Sequence, residues 1–528
     1  MINIFFLISL IMYLVYSIWK LRKDLHMIQL NSYVTNRFFK WIKQNFVNII
    51  KAKDFLPAFA LIPLYFEKIY VFNLIWIACY CFLFLTRGKV QEKKKLVFTN
   101  RVKRLFTISI LLIILVLSII YSKVLLSNNL IIPFIFLILL NPLSSIVMLT
   151  SNLLITPVEK SINRWFYNDA RKKIKQMNRL TVIGITGSFG KTTTKYILNK
   201  ILSEKYNTLM TPESYNTPMG ITKIIRTQLK PTHDIFIAEM GAMQKGDISE
   251  LCRLVSPKIG LLTAIGEQHL ASFGSIENII STKNELIDSL PDDGIAFFNM
   301  DNLYIRELAE RVKITSIFYG IESENLRFSA KYIQYTSKGT IFTVCDNNGN
   351  EVVFKSKLLG RHNVYNILAA TSVACELGMD LMTISHAIKN IIPVPHRLEL
   401  KNYSQDITLI DDAYNSNPVG SEMALEVLKE MKGNKKILVT PGMIELSDRQ
   451  YDFNKAFGIK ASRICDYIVL VGKRQTFPIQ EGLKEENYPI DKIYIANSFN
   501  NANQHLQAIV QSGDVVLFEN DLPDNYNE

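Results

Sequence analysis

Acidic residues are scarce in the first third of this 528-residue chain. Residues 1–180 hold 25 Lys/Arg against 6 Asp/Glu, a net of +19, whereas 181–528 hold 35 against 41, a net of −6. The formal +13 of the whole is the average of two unlike pieces. A basic excess can mark a nucleic-acid surface. Here it is interleaved with long apolar runs, which favours a membrane, and the mildly acidic remainder offers no extended nucleic-acid face; no nucleic-acid partner is expected. Cysteine is also thin. The six residues, at 79, 81, 252, 345, 375 and 465, form no CxxC pair and no metal-ligand spacing, so free thiols in a reducing compartment are expected. The marks of a cleaved leader are missing too: no basic stretch precedes the apolar run Asn3–Trp19, and no small-residue cleavage site follows it. There are no internal repeats and no low-complexity tracts.

What fills the basic third is a succession of apolar segments. Asn3–Trp19 reads as a retained transmembrane helix, followed at once by Lys20, Arg22 and Lys23. Ile69–Thr86, Leu105–Tyr121 and Leu130–Ile155 read as further spans, while Phe55–Phe66 is apolar but only twelve residues long. Loops 20–54 and 87–104 each carry eight Lys/Arg, and 122–129 is nearly uncharged. Placing the basic loops and 156–180 in the cytoplasm gives five segments with the N-terminus outside, Phe55–Phe66 being a short or re-entrant crossing. A four-span alternative puts 20–54 outside. Within that loop QLNSYVTNRFFKWIKQN has the pattern of an amphipathic helix at headgroup level. The expectation is a multi-pass region of the cell membrane over 1–155, a basic helical connector over 156–180, and cytoplasmic domains after it.

From 181 the pattern becomes α/β, with short apolar strands such as Ile235–Ala238 and Gly260–Ala264 alternating with helices. Alternation around Asn347-Asn348-Gly349 predicts a hairpin. A second α/β set starts near 397, with strands at Ile407–Ile410, Lys436–Val439, Tyr467–Val471 and Asp514–Phe518. The stretch TVIGITGSFGKTTTK, 181–195, reads as strand, glycine turn and helix. Gly187 and Gly190 let successive N–H groups turn inward, and the helix adds its positive end, a cradle for phosphates. Lys191 would reach the β/γ-phosphates and the Thr192 hydroxyl would sit on Mg²⁺. The strict GxxxxGK[ST] pattern is not met, because Ile185 stands at its first glycine.

Glu239 ends an apolar strand downstream of that loop, where a carboxylate holds Mg²⁺ directly or through water. His269 follows the next strand in a Gly-bounded loop, and α/β sites gather at such strand ends. GRHNVYNILAA offers Asn363 to a base or ribose, HRLEL offers Arg397 to a γ-phosphate, and IDDAYNSNP ends a strand in two carboxylates. Residue type alone leaves these three as readily structural as functional. Lys283, within a helical stretch, has the context of a surface lysine.

TGSFGKTTTK, EMGAMQKGDI, GEQHLASFGSIENIISTKNEL, GRHNVYNILAA, PHRLE, DDAYNSNP and GMIELSD stand in the order and spacing of the Mur ligases. Over 181–519 the chain resembles that family, most of all the branch that adds D-alanyl-D-alanine to the peptidoglycan stem peptide. The resemblance implies a P-loop central ATP-binding domain over 181–395 and a Rossmann-like C-terminal domain over 396–528 that closes on it. It implies that Thr186, Gly187, Ser188, Gly190, Lys191, Thr192 and Thr193 cradle ATP, and that Asn363, Arg397 and Asp412 contact the nucleotide. Thr192, Glu239 and His269 match magnesium ligands, and Lys283 falls on a carboxylated lysine whose carbamate binds a second Mg²⁺. Lys191, Lys283, His269 and Arg397 are the catalytic candidates. The implied reaction turns a carboxylate into an acyl phosphate for attack by an amine. Its implied partners are a UDP- or lipid-linked cell-wall peptide and an amino acid or dipeptide.

The chain departs from that branch in several places. Membrane segments replace a soluble first domain, Glu213-Ser214 replaces Gly-Asn, Asn454 replaces a His, and Phe518-Glu519-Asn520 replaces Lys-Gly-Ser. The alternatives are a membrane ligase acting on another acceptor, such as a lipid-linked precursor or a polyglutamate-like polymer, a P-loop ATPase energising a membrane assembly, and a non-catalytic scaffold. No LSGGQ signature supports a transporter ATPase, and intact Lys191, Thr192, Glu239, His269 and Lys283 speak against the scaffold.

Overall fold

The computed structural model describes the chain apart from residues 1, 87–94, 127–130, 214, 267–272, 337–338, 393–395, 404–405, 414–417, 445 and 521–528. Residues 2–3, 47–48, 124–126, 336, 402–403 and 447 are described by their backbone only. The chain divides into two units, Met1–Trp165 and Phe166–Glu528.

The first unit is helical. Its opening helix, Ile2–Leu30, runs well past the apolar stretch and through the basic cluster at 20–23. The polar residues there are held inside the unit: Lys20 pairs with Asp54 at 2.7 Å, and buried Asp24 accepts from the hydroxyls of Ser144 and Ser145 at 2.7 and 2.6 Å. Ring and hydrogen-bond partners lay this helix beside Ile69–Leu85 in the same direction. Phe5 meets Tyr70, Ser9 meets Asn73 and Trp76, and Tyr13 and Tyr16 both meet Tyr80. Two parallel neighbours oblige the chain between them to come back. It does so through the 3-10 helix Ala52–Ala60, which continues into the α-helix Leu61–Tyr65. At the usual rises these two pieces extend about 25 Å, near the ~30 Å of a bilayer's hydrocarbon core. The twelve-residue segment is thus a return limb.

By length and apolar composition Ile4–Leu30 and Asn100–Lys123 are able to cross a membrane, while Ile69–Leu85 is shorter. The single span expected over Leu130–Ile155 is not one rod. Helices Ile131–Leu140 and Ser144–Lys175 meet at a bend of 77°. The break falls at Asn141-Pro142, because proline has no N–H for the ladder and disfavours helix in the residue before it. The expected amphipathic helix is present as Thr35–Gln44, with Phe38 buried against Trp41 and Phe39 exposed.

The second unit holds two sheets. The first runs in the order β2-β3-β1-β4-β5-β6-β7-β8-β9, from β1 (Thr181–Thr186), β2 (Thr208–Met210), β3 (Ile235–Glu239), β4 (Ile259–Leu262) and β5 (Ile295–Asn299) to β6 (Thr315–Gly320), β7 (Phe328–Thr336), β8 (Gly339–Asp346) and β9 (Glu351–Ser356). β1 to β6 pair in parallel, and β7, β8 and β9 form an antiparallel extension whose last turn is the expected hairpin. β1 shows why helices cover both faces. Ile183 and Ile185 pack with helices Lys191–Leu202 and Arg361–Glu376, while Val182 points to the opposite core with Ile221, Leu251 and Leu286, the two-residue alternation of a strand.

The second sheet runs β10-β11-β15-β12-β13-β14. It comprises β10 (Glu399–Tyr403), β11 (Ile407–Asp412), β12 (Lys436–Thr440), β13 (Tyr467–Val471), β14 (Ile493–Ala496) and β15 (Val515–Glu519). All pairings but β10–β11 are parallel. The carboxyl ends of β1, β3, β4 and β5 in the first sheet and of β11 in the second supply the site, as open parallel sheets do.

Candidate active site

The loop after β1 is built around two glycines in backbone conformations that side chains resist. Gly187 has φ +151° and Gly190 φ +78°. A Cβ on Gly187 would lie 2.2 Å from Thr263 Oγ1, and one on Gly190 2.5 Å from Asn366 Oδ1. The loop is thereby pressed onto the end of β4: Ser188 N donates to Ala264 O at 2.6 Å and Thr263 Oγ1 donates to Phe189 O at 2.5 Å. The helix Lys191–Leu202 then starts with no side-chain cap, so its first N–H groups are left for an anion. Lys191 Nζ curls back onto Gly187 O and Ser188 O at 2.7 and 3.0 Å. Burial brings its pKa down to about 8, opposed by Glu239 and reinforced by Arg397.

Glu239 ends β3 in register with Ile185 and is buried. Thr192 Oγ1 donates to its Oε1 at 3.0 Å, Asn216 Nδ2 to the same oxygen at 3.3 Å, and Lys195 Nζ to Oε2 at 2.8 Å. A carboxylate and a hydroxyl side by side are hard oxygen donors that fit Mg²⁺. Lys195, one helical turn beyond Lys191, balances the carboxylate; only its place in a run of threonines and lysines could have flagged it. The Thr186 hydroxyl donates to Met240 O at 2.9 Å and so fixes the end of β1. His269 lies outside the described residues.

Two cavities share this loop. The first, about 350 Å³, is lined by Phe189, Gly190 and Thr193, by Asn302 after β5, by His362 and Asn363 of the helix Arg361–Glu376, and by Arg397 and Asp412. The Asn363 amide is engaged inside the protein, donating to Leu359 O at 2.7 Å and accepting from Asn366 at 3.2 Å. Its neighbour His362 has a buried Nδ1 without a partner among the described residues, and burial with help from Arg397 lowers its pKa to about 4. A neutral imidazole with an unmet nitrogen, beside a glycine cradle, suits a nucleotide. His362 adjoins Asn363, and its residue type and spacing carry no signal of a site in the sequence. Asp412 accepts from Leu398 N at 3.1 Å, and burial beside Glu519 raises its pKa to about 7.

The second cavity, about 300 Å³, is lined by Ser188, Lys191, Asn216, Asp247 and Lys283. Lys283 is not a surface lysine. It is 4% exposed, and burial, with Lys191 adding to it, lowers its pKa to about 7 against the pull of Asp247 and Glu285.

Two of the divergent positions, Asn454 on the helix Gln450–Ser462 and Glu519 on β15, are structurally committed. Asn454 is buried, accepting from Met443 N at 2.8 Å and donating to Met443 O and Gln450 O, so it fixes the loop after β12. Glu519 is buried at the end of β15 and accepts from Ser421 and Thr440 at 2.8 and 3.1 Å.

Comparison with known proteins accords with this geometry. The Mur ligase middle domain matches residues 185–374, and the Mur ligase glutamate ligase domain matches 396–519. The UDP-N-acetylmuramoyl-tripeptide–D-alanyl-D-alanine ligase of Bacillus subtilis (strain 168) is 30% identical over 344 residues, covering 64% of this chain and 72% of that protein. The enzyme of the same name from Escherichia coli (strain K12) is 32% identical over 304 residues, covering 57% and 66%. Among solved structures, MurF from Acinetobacter baumannii aligns with a TM-score of 0.61 at 25% identity over 68% of this chain and 77% of its own. MurF from Thermotoga maritima in complex with ADP aligns at 0.60 and 26% over 68% and 80%. The phosphate cradle, the oxygen donors beside it and these matches together place the chain in the Mur ligase family, as an ATP- and Mg²⁺-dependent ligase that forms carbon–nitrogen bonds.

Proposed function

We propose that this chain is a membrane-bound ligase of peptidoglycan-precursor synthesis, of the D-alanyl-D-alanine-adding type. The observation that carries the reading is the pair of cavities sharing one phosphate loop, one touching Gly190, Thr193 and Arg397 and the other Ser188, Lys191 and Lys283. The first suits a nucleotide and the second an acceptor carboxylate, with Lys191 between the phosphate to be moved and the oxygen that receives it. Thr192 and Glu239 would hold Mg²⁺, which when bound neutralises charge on the phosphate oxygens. Lys191 and Arg397 add fixed positive charge beside the negative charge on the oxygens of the transferring phosphoryl group. Lys283, as a carbamate, would supply a second anionic ligand, and His269 takes its ligand role from the family resemblance. The carboxylate oxygen attacks the γ-phosphorus as the bond to ADP breaks. The amine nitrogen then attacks the acyl carbon, phosphate leaves, and the amine proton passes to solvent.

The first unit is read as a five-segment membrane region with its N-terminus outside and the ligase unit in the cytoplasm. Support comes from the parallel pair Ile2–Leu30 and Ile69–Leu85, which requires a return limb, and from the basic loops. The family models begin at residue 185, so this unit stands where the resembled branch has a soluble first domain. That favours a second reading of the acceptor: a lipid-linked stem peptide confined to the plane of the enzyme, at raised effective concentration. The test gives full-length protein in lipid ATP, D-alanyl-D-alanine and either the UDP-linked or the lipid-linked tripeptide, reading product mass and phosphate. Amide product with wild type and none with Lys191→Ala is expected. Phosphate release without amide product would sink the ligase reading, and equal use of both acceptors would make the first unit a tether.

A further inference from the structure

The first unit carries a groove that the ligase chemistry leaves unused. It opens between Ile2–Leu30 and Ile69–Leu85 and encloses about 250 Å³. Met12, Val15 and Tyr16 line one side, Cys81, Phe84 and Leu85 the other, and Tyr80 the floor. Both tyrosine hydroxyls are turned to partners, Tyr16 donating to Asp54 at 3.0 Å and Tyr80 accepting from Asn141 at 3.2 Å. The walls are therefore apolar, and with Val15 at 42% and Leu85 at 81% exposure the groove is open from the side.

Because the two helices run in parallel, they present the same end together, and that end is cationic. One turn beyond Tyr16 comes Lys20 and two turns beyond it Lys23; Leu85 is followed by Thr86, whose carbonyl accepts from Lys53 Nζ at 3.3 Å. Lys23 lies 4.2 Å from the Trp19 ring centre, and the charges around it are Lys51, Lys53 and Lys20 on one side and Asp24 on the other. Lys20 is balanced by Asp54, and both oxygens of Asp24 are taken by serines. Four ammonium groups against two carboxylates leave at least two positive charges at the mouth of the groove. Gathered like charges cost free energy until an anion joins them. A phosphate monoester carries roughly −1.5 to −2, which matches that excess.

We infer that the first unit binds one lipid with a phosphate-bearing headgroup per chain, its hydrocarbon chain in the groove and its phosphate on Lys23, Lys51 and Lys53. The inference rests on reading this unit as membrane-embedded. It also gives that region a task beyond anchoring, since a lipid held there is brought to the protein by its phosphate.

The test uses the full chain in nanodiscs of phosphatidylcholine containing dioleoyl phosphatidate, with bound lipid counted by native mass spectrometry. A parallel arm offers inorganic phosphate alone. Insertion is measured for every variant by resistance to carbonate extraction from phosphatidylcholine vesicles. One retained phosphatidate per chain is expected, with weak retention of free phosphate. Lys51→Gln with Lys53→Gln, and separately Val15→Trp to fill the groove, should each lower phosphatidate retention at least tenfold while insertion and ATP use are unchanged. Retention that rises in proportion to the phosphatidate fraction, or that is the same in wild type and both variants, overturns the site while leaving the membrane reading intact. A chain that does not insert overturns the membrane reading itself.

Discussion

Replacing Lys283 by methionine tests the reasoning where stability and catalysis pull in opposite directions. Lys283 is buried on the helix Ile276–Asp288, and its pKa falls from 10.5 to about 7, chiefly through burial. At pH 7 the neutral amine is then on the order of a thousandfold more abundant than for an ordinary lysine. The neutral amine is the form that adds CO₂, becoming a carbamate with release of a proton. Below pH 7 the buried ammonium costs up to roughly 5 kcal/mol, at about 1.36 kcal/mol per tenfold change in proton affinity. That cost shrinks as pH rises from about 7 towards 10.5. Lys283→Met preserves most of the volume and removes the charge, so at pH 6 it should raise the unfolding free energy of the second unit by roughly 2–4 kcal/mol while abolishing ligation. Calorimetry is the assay, because all four tryptophans (19, 41, 76 and 165) lie in the first unit and their fluorescence does not report on the second. A second arm removes dissolved CO₂. Wild type should lose both rate and Tm, since a group that adds only to the folded state stabilises it by mass action, whereas the variant should not respond. A Lys283→Met enzyme at wild-type rate, or a wild type indifferent to CO₂, would refute the reasoning.

Lys195→Met should destabilise the second unit by roughly 3–5 kcal/mol, because Glu239 is left buried without its cation; Mg²⁺ should restore part of this, and a calorimetric Tm unchanged from wild type would contradict it. Gly190→Ala places a Cβ 2.5 Å from Asn366 Oδ1 at φ +78°, costing at least about 1–2 kcal/mol and weakening ATP binding by at least tenfold in a nucleotide-binding titration; unaltered affinity would show that the cradle is not needed. Cysteines placed at Ser32 and Thr99 should be labelled only from the cytoplasmic side and one at Asn128 only from outside, whereas outside labelling of Ser32 would favour the four-span arrangement.

The order of chemistry along this chain was legible from residue type and spacing, because local rules govern it. A glycine turn between an apolar strand and a helix with Lys-Thr at its start sets a phosphate cradle within fifteen residues, and two-residue alternation marks the strands and the hairpin at Asn347–Gly349. What required the tertiary structure was anything set by partners distant in sequence. Lys283 has the local context of a surface lysine and took its role only from the family resemblance; its burial beside Lys191 is set by the fold. Thr186, Asn363 and Asn454 have the residue types of ligand contacts, yet their polar groups are drawn onto backbone or a neighbouring amide. Lys195 had no signal beyond its place in the run Lys191–Lys195 and His362 none, since what marks them is a buried carboxylate 44 positions away in one case and an unmet ring nitrogen in the other. Hydropathy found the apolar segments of the first unit, and the basic loops implied that Asn3–Trp19 and Ile69–Thr86 run the same way. Which rings and amides meet between those two helices, and the 77° bend at Asn141-Pro142, came only from the structure, because apolar pattern and loop charge carry no information on side-chain partners.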